Sequence, residues 1–147
     1  MRTLTTICLM LFLPGLIAPS ISLAPAVSAK TIDPQSPEEI QDYIKNQSAA
    51  LGLNPEAVLS LVNCESSFVP QQSKVPNPNG PNGQEDSWGV WQIYLPGKNI
   101  TRDQAMSVVW STKWAIDQIL AGSVRQWTCA RDLGLTSKKI WGVDKEL

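Results

Sequence analysis

The chain has 147 residues, enough for one domain and hardly for two. Its 12 basic and 13 acidic side chains exclude the basic footprint of a nucleic-acid binder. It has no histidine, which excludes Ser-His and Cys-His nucleophile pairs, HExxH metalloproteases and zinc amidases of the histidine type.

Residues 1–29 read as a secretory signal peptide. Arg2 is the only early charge, Ile7 to Ala18 is a short apolar core, and Val27-Ser28-Ala29 is a small-x-small cleavage site. The core is too short, and too broken by Pro14-Gly15, to span a bilayer. No cysteine follows it at a lipidation position. The expected destination is therefore outside the cell or in the periplasm or cell envelope, with no membrane span after cleavage. Cleavage removes Arg2 and Cys8 and leaves 11 basic against 13 acidic side chains, with Cys64 and Cys129 as the remaining cysteines. In an exported chain an even pair reads as a disulfide; the alternative is two free buried thiols. A bridge would close a loop of about 65 residues, worth on the order of 4 kcal/mol in the chain-entropy model.

Residues 30–35 read as a linker. Ser36-Pro37-Glu38-Glu39 is a helix start, with Ser36 as N-cap, proline at the first helical position and Glu39 completing a capping box. Ile40, Tyr43, Ile44 and Leu51 recur at helical spacing, and Gly52 ends the helix. Asn54-Pro55-Glu56 opens a second helix, apolar on more than one face and so expected to be central. Val69 to Asp86 then holds four prolines and two glycines and excludes helix through most of its length. A loop this long in a small domain is more often functional than idle, and part of it is expected to pair as a hairpin around Asn82-Gly83.

Ser87 to Tyr94 resumes apolar character and reads as a short helix, broken by Pro96-Gly97. Thr101-Arg102-Asp103-Gln104 is another capping box, and Ser107 caps the helix lined by Val109, Trp110, Trp114, Ile116, Ile119 and Leu120. Val124 to Trp127 reads as a final turn before Cys129, and 132–147 as a loosely docked tail. The sum is a mainly α domain over 36–131, built of short helices with one long polar loop or small hairpin insertion.

Without histidine, carboxylate acid catalysis is the simplest chemistry left to an exported enzyme. Glu65 is the candidate acid. It follows the apolar run Ala57 to Val62, which desolvates it, and lies near a helix C-terminus, whose partial negative charge disfavours an anion. Both effects raise a carboxyl pKa. From the local residues alone, a solvated glutamate at a frayed helix end is the favoured reading.

Glu65-Ser66-x-Phe68, a polar loop, and then Ser87-x-Gly89-Val90-x-Gln92-Ile93 resembles the lysozyme-like superfamily, on its soluble lytic transglycosylase and goose-type lysozyme branch. The resemblance covers roughly residues 40–130. It implies an α+β lysozyme-like fold and cleavage of the bond between N-acetylmuramic acid and N-acetylglucosamine in a peptidoglycan glycan strand. The enzyme would act as a monomer without cofactor or metal. Carried over, Glu65 is the general acid, Ser66 bonds near the carboxyl or to substrate, Gly89 lets the backbone approach a sugar, and Gln92 bonds it. For Ser66 the alternative is simple helix-end polarity; for Gly89 it is tight packing, and for Gln92 a surface position. Ser87 belongs to the same substrate-facing stretch. Trp91 and Tyr94, with Trp88, are candidates to stack on sugar faces, although tryptophans at helical spacing are more often core. Trp110 and Trp114 are assigned to core, and Trp127-Thr128-Cys129 to packing around the bridge.

A two-carboxylate glycosidase needs a second acid across the cleft, and Asp86 and Glu85 are the candidates. In the animal lysozymes that aspartate lies two residues before the glycine of Gly-x-x-Gln, where this chain has Ser87. The mismatch favours a single-glutamate transglycosylase over a muramidase. The late Ala-Tyr-Asn-Ala-Gly segment of many transglycosylases is also missing; the matching region reads Ala115-Ile116-Asp117-Gln118, then Gly122. Tyr43 and Tyr94 are the only tyrosines that could partner Glu65. Two rival readings are a non-catalytic glycan-binding domain of the same fold, and an interaction domain with a weak calcium site at Asn77, Asn79, Asn82, Glu85 and Asp86. The latter spacing is not that of an EF-hand.

Overall fold

The computed structural model describes residues 32–141. The signal-peptide reading of 1–29 and the last six residues of the tail lie outside the described residues. The protein is mainly α, with six helices and one two-stranded sheet among those residues.

Helix α1 (Pro37–Ala50) begins as its residues dictate. The Ser36 side chain accepts from the Glu39 amide, and Glu39 accepts from the Ser36 amide in return. Ile40, Ile44 and Ser48, four apart, form its buried stripe. Helix α2 (Pro55–Ser66) is capped by Asn54, whose side chain accepts from the Glu56 and Ala57 amides. Val58, Leu61 and Val62 are fully buried, so the apolar run does form a central helix.

The helix stops at Ser67 and Phe68, which both adopt left-handed backbone, with φ of 53° and 61°. Neither is glycine, and each such residue costs about 1–2 kcal/mol. The two together swing the chain out of α2 and into the long loop, with Phe68 buried beneath it.

That loop is ordered by backbone pairing. The Ser73 amide donates to Ser87 O at 2.8 Å, Gly89 N donates to Gln71 O at 2.9 Å, and Gln72 bridges Trp88. Farther out, Pro76 bridges Gln84 in antiparallel sense around a 3-10 turn at Pro81–Gly83. The expected hairpin around Asn82-Gly83 is present in this form.

Ser87 to Tyr94 is not a helix. Strands β1 (Ser87–Trp88) and β2 (Ile93–Tyr94) pair antiparallel, with Ser87 opposite Tyr94. Gly89 to Gln92 is the connection, and Gln92 N donates back to Gly89 O. The period misleads here because Ser87 to Ile93 is buried almost throughout, except for half-buried Gln92. A short stretch buried on every side carries no helix-or-strand signal.

Helix α3 (Arg102–Met106) carries the expected Thr101–Gln104 capping box. Helix α4 (Val108–Leu120) buries Ala115, Ile116 and Ile119. A 3-10 turn at Val124–Gln126 leads to α5 (Thr128–Asp132) and then α6 (Ser137–Ile140).

Two segments expected to lie outside the domain are part of it. Asp33, in the supposed linker, accepts from Val109 N at 2.8 Å and from the Ser107 hydroxyl at 3.1 Å. Ser107 in turn accepts from Trp110 N, so two otherwise unpaired amides at the start of α4 are satisfied by one relay. The supposed tail carries α6, whose Ile140 is fully buried and whose Ile140 carbonyl accepts from the Asn54 amide. Neither segment has enough apolar residues to advertise its docking.

Asp33→Ala is expected to lower stability by about 1–2 kcal/mol, by loss of a charged cap. Urea unfolding of the two proteins measures it. Equal midpoints would show that the linker does not anchor α4.

Candidate active site

A groove crosses the protein where α2 ends. It has three lobes that share walls. The first, about 510 Å³, is lined by Glu65, Ser66, Ser67, Gln71 to Pro76 and Gln92. The middle one, about 470 Å³, is lined by Glu65, Ser73, Val75, Glu85, Ser87, Gln92, Tyr94, Trp127 and the two cysteines, among others. The third, about 250 Å³, takes in Glu85, Gln92, Tyr94, Lys98, Trp114 and Trp127. Gln92 is common to all three.

Glu65 lies at the junction of the first two lobes, half-buried on the last turn of α2. Burial pushes its carboxyl pKa up to about 7. The Cys129 amide, which donates to Oε1 at 3.2 Å, pulls the other way. The negative charges of Glu85 and Asp132 add to the rise. The acid is thus protonated through much of the neutral range and remains open to the groove.

The bridge is formed: Cys64 and Cys129 are joined, with Cα atoms 5.8 Å apart and a separation of 65 positions in sequence. It ties the end of α2 to α5 and so carries the Cys129 amide to Glu65. Trp127 packs just before it, against Trp91 and Trp114 at ring-centre distances of 5.8 and 6.3 Å. Its indole donates to Trp91 O at 2.8 Å. Trp127 lines the middle and third lobes and Trp114 the third, with Trp91 buried behind them.

The two halves of the sequence motif touch, in roles other than those first expected. The Ser66 hydroxyl donates to Val90 O at 2.8 Å, so it joins α2 to the β1–β2 turn, while the largely buried residue still contributes wall to the first lobe. Gly89 has φ of 79°, and a side chain there would occupy the space of the Ala105 carbonyl. It serves close packing of the turn on α3, with no approach to the groove. Trp91 is fully buried, its indole donating to Thr112 at 3.0 Å, and it cannot stack on a ligand. Gln92 does reach the groove. Its backbone is left-handed, with φ of 45°, and its amide donates to Gly89 O and Gln71 O at 2.8 and 3.1 Å.

Among the remaining candidates, Tyr94 is 44% exposed and lines the same lobe as Glu65, the tyrosine best placed to serve it. Ser87 contributes wall while 97% covered, its relative exposure being 3%. Asp86 turns away: its carboxylate accepts from the Trp88 indole at 2.6 Å, and it lines none of the lobes. Glu85 is the carboxylate that enters the groove, held by the Ser73 hydroxyl at 3.3 Å. Ser73 holds Glu85 and the Trp88 indole holds Asp86, so a one-residue difference decides which acid meets Glu65. Ser73, Gln71, Val75 and Lys98 are groove residues that the sequence reading left unassigned. They come from a loop and a turn, where no periodicity marks the inward face. No cluster of three His, Cys, Asp or Glu side chains suited to a metal occurs among the described residues.

No protein-family model, curated protein or solved structure matches the chain. No helix among the described residues is long and apolar enough to cross a membrane.

A raised carboxyl pKa has a stability sign. Below the unfolded value of 4.5 both states hold the proton and Glu65 is neutral in its effect. As pH rises from there to about 7, the unfolded chain releases its proton first and the folded protein loses stability. Glu65→Gln is therefore expected to unfold with the same midpoint as wild type at pH 4. At pH 8 it is expected to be more stable by about 1–2 kcal/mol, after allowance for solvent screening of a half-open group. Thermal unfolding at both pH values checks it, and an equal offset at pH 4 and 8 would refute the shifted acid.

Proposed function

We propose that the protein cleaves the glycosidic bond between N-acetylmuramic acid and N-acetylglucosamine in peptidoglycan, as a lytic transglycosylase with Glu65 as acid and base. The observation that carries this reading is a half-buried glutamate, its pKa near 7, facing an open, polar, aromatic-lined groove. The resemblance of Glu65-Ser66 and Gly89-x-x-Gln92 to the lysozyme-like superfamily points to the same chemistry.

The residues suit the steps. Protonated Glu65 gives its proton to the bridging oxygen as the C1–O bond breaks, and positive charge develops on the muramoyl C1 and ring oxygen. The N-acetyl carbonyl of the same sugar stabilises that centre. Glu65, now a carboxylate, takes the proton of the muramoyl C6 hydroxyl as its oxygen bonds to C1. The products are a 1,6-anhydro end and a free 4-hydroxyl, with no water consumed. The Cys129 amide on Oε1 stabilises the carboxylate between the two transfers. Gln92 and Tyr94 offer hydrogen-bonding and stacking surface to the sugars.

One observation favours hydrolysis as the second reading. Glu85 lines the middle lobe with Glu65, where a second carboxylate would serve to stabilise the cationic centre or activate water. Asp86, the residue first expected in that role, is engaged with Trp88.

Digestion of purified peptidoglycan, with mass spectrometry of the soluble products, tests both. Anhydro-ended fragments, one water lighter than reducing ends, are expected from wild type, and a loss of at least about a hundredfold from Glu65→Gln. Reducing ends would replace the transglycosylase reading by the hydrolase one. No soluble fragments, or full activity in Glu65→Gln, would overturn the assignment.

Because the acid must hold its proton, kcat/KM is expected to fall as pH rises through about 7. Glu85→Gln removes a negative neighbour and is expected to move that limb to lower pH. A limb that stays in place would show that Glu85 does not act on Glu65.

A further inference from the structure

We infer that Lys74 and Lys98, at opposite ends of the groove, bind the carboxylates of acidic peptide branches, so that the preferred substrate is peptide-bearing glycan and not bare strand. This rests on the function proposed above and names the substrate form that its site would take.

The placement of charge along the groove carries the inference. Nine lysines and arginines fall within residues 32–141, and only Lys74 and Lys98 line the groove. They lie in different lobes. Lys74 shares the first lobe with Glu65 and Lys98 the third with Glu85, while the middle lobe has both carboxylates and neither lysine. The charges that act on Glu65 are both negative, which agrees with lysines set away from the acid. The groove thus has both carboxylates and no cation at its centre, and one lysine beside one carboxylate at each end.

The lysines are available to a ligand. Lys74 is exposed and makes no hydrogen bond or ion pair among the described residues. Lys98 is positioned: its Nζ donates to Tyr94 O at 2.7 Å and stands 5.6 Å from the centre of the Tyr94 ring. One N–H is used, and the others remain for a carboxylate.

A neutral glycan has nothing to offer two cations. Peptidoglycan does, because each muramoyl sugar carries a short peptide with free carboxylates, so branches emerge on both sides of a cleaved bond. Cations at the ends, outside the reacting centre, are where branch carboxylates would meet the protein. Val75, 57% exposed beside Lys74, adds apolar surface for a branch side chain.

Binding by the Glu65→Gln protein, which leaves strands uncut, tests this. The probes are soluble glycan strands of matched length, one with peptides and one stripped of them by an amidase. Two exposed charge contacts, each worth about a factor of three, predict about tenfold tighter binding of the peptide-bearing strand. That preference should shrink with added salt. Adding Lys74→Gln and Lys98→Gln together should bring the ratio near one. Lys113→Gln, a lysine paired with Asp117 on α4 and outside the groove, should leave it unchanged. A ratio near one before the lysines are changed, a ratio that survives their loss, or an equal fall with Lys113→Gln would overturn the inference. Wild type is assayed for cleavage of both strands in parallel. An active wild type with no binding preference would sink only the lysine assignment. An inactive one with the preference intact would sink the glycosidase reading and leave the recognition standing.

Discussion

The groove depends on how α2 ends. Three links meet within its last turn. Cys64 is bonded to Cys129, Glu65 accepts from the Cys129 amide, and Ser66 donates to the carbonyl of Val90. Consecutive residues on a helix point about 100° apart, so three neighbours can hold three different partners. The bridge takes α5, the carboxyl faces the groove, and the hydroxyl takes the β1–β2 turn. The left-handed pair Ser67 and Phe68 then releases the chain into the loop that forms the opposite wall. Strain of that kind persists only where surrounding structure enforces it, and here the links on either side do so.

The same arrangement sets the electrostatics. Burial keeps the proton on Glu65, and two negative neighbours reinforce it. A single backbone amide opposes them, close enough to stabilise the carboxylate once the proton has gone. Under the proposed function Glu65 gives up a proton and takes one back, which needs both states within reach, and a pKa near neutrality suits that. The tryptophan cluster contributes through its dryness and its rigidity: Trp91 and Trp127 each satisfy their indole N–H inside the protein.

Much of this was legible in the residues. Capping boxes at Ser36 and Thr101, the apolar faces of α1, α2 and α4 and the pairing of Cys64 with Cys129 all follow from local pattern, whereas the raised pKa of Glu65 was favoured only once the resemblance was added. The roles of Gly89 and Trp91 were legible only as the packing alternatives, and that of Ser66 was not. Each is compatible with a substrate-facing position in sequence, and each is turned inward by a partner far along the chain: Val90, Ala105 and Thr112. The second carboxylate was legible only as a pair, Glu85 or Asp86, because the choice depends on which is held by Ser73 and which by the Trp88 indole. The docking of Asp33 and Ile140 was not legible at all, since one polar cap and one aliphatic side chain make no pattern.

The sequence by itself determined the chemistry available, because lack of histidine and placement of a glutamate after an apolar helix are local facts. It also determined the helices, whose signals repeat every turn. Only the tertiary structure decided which side chains share the groove. That choice rests on contacts between residues 24 to 76 positions apart, such as Ser66 with Val90, Glu65 with Cys129 and Asp33 with Val109. A hydrogen bond or a disulfide needs two ends brought within a few ångströms, and spacing along the chain carries no information about that distance.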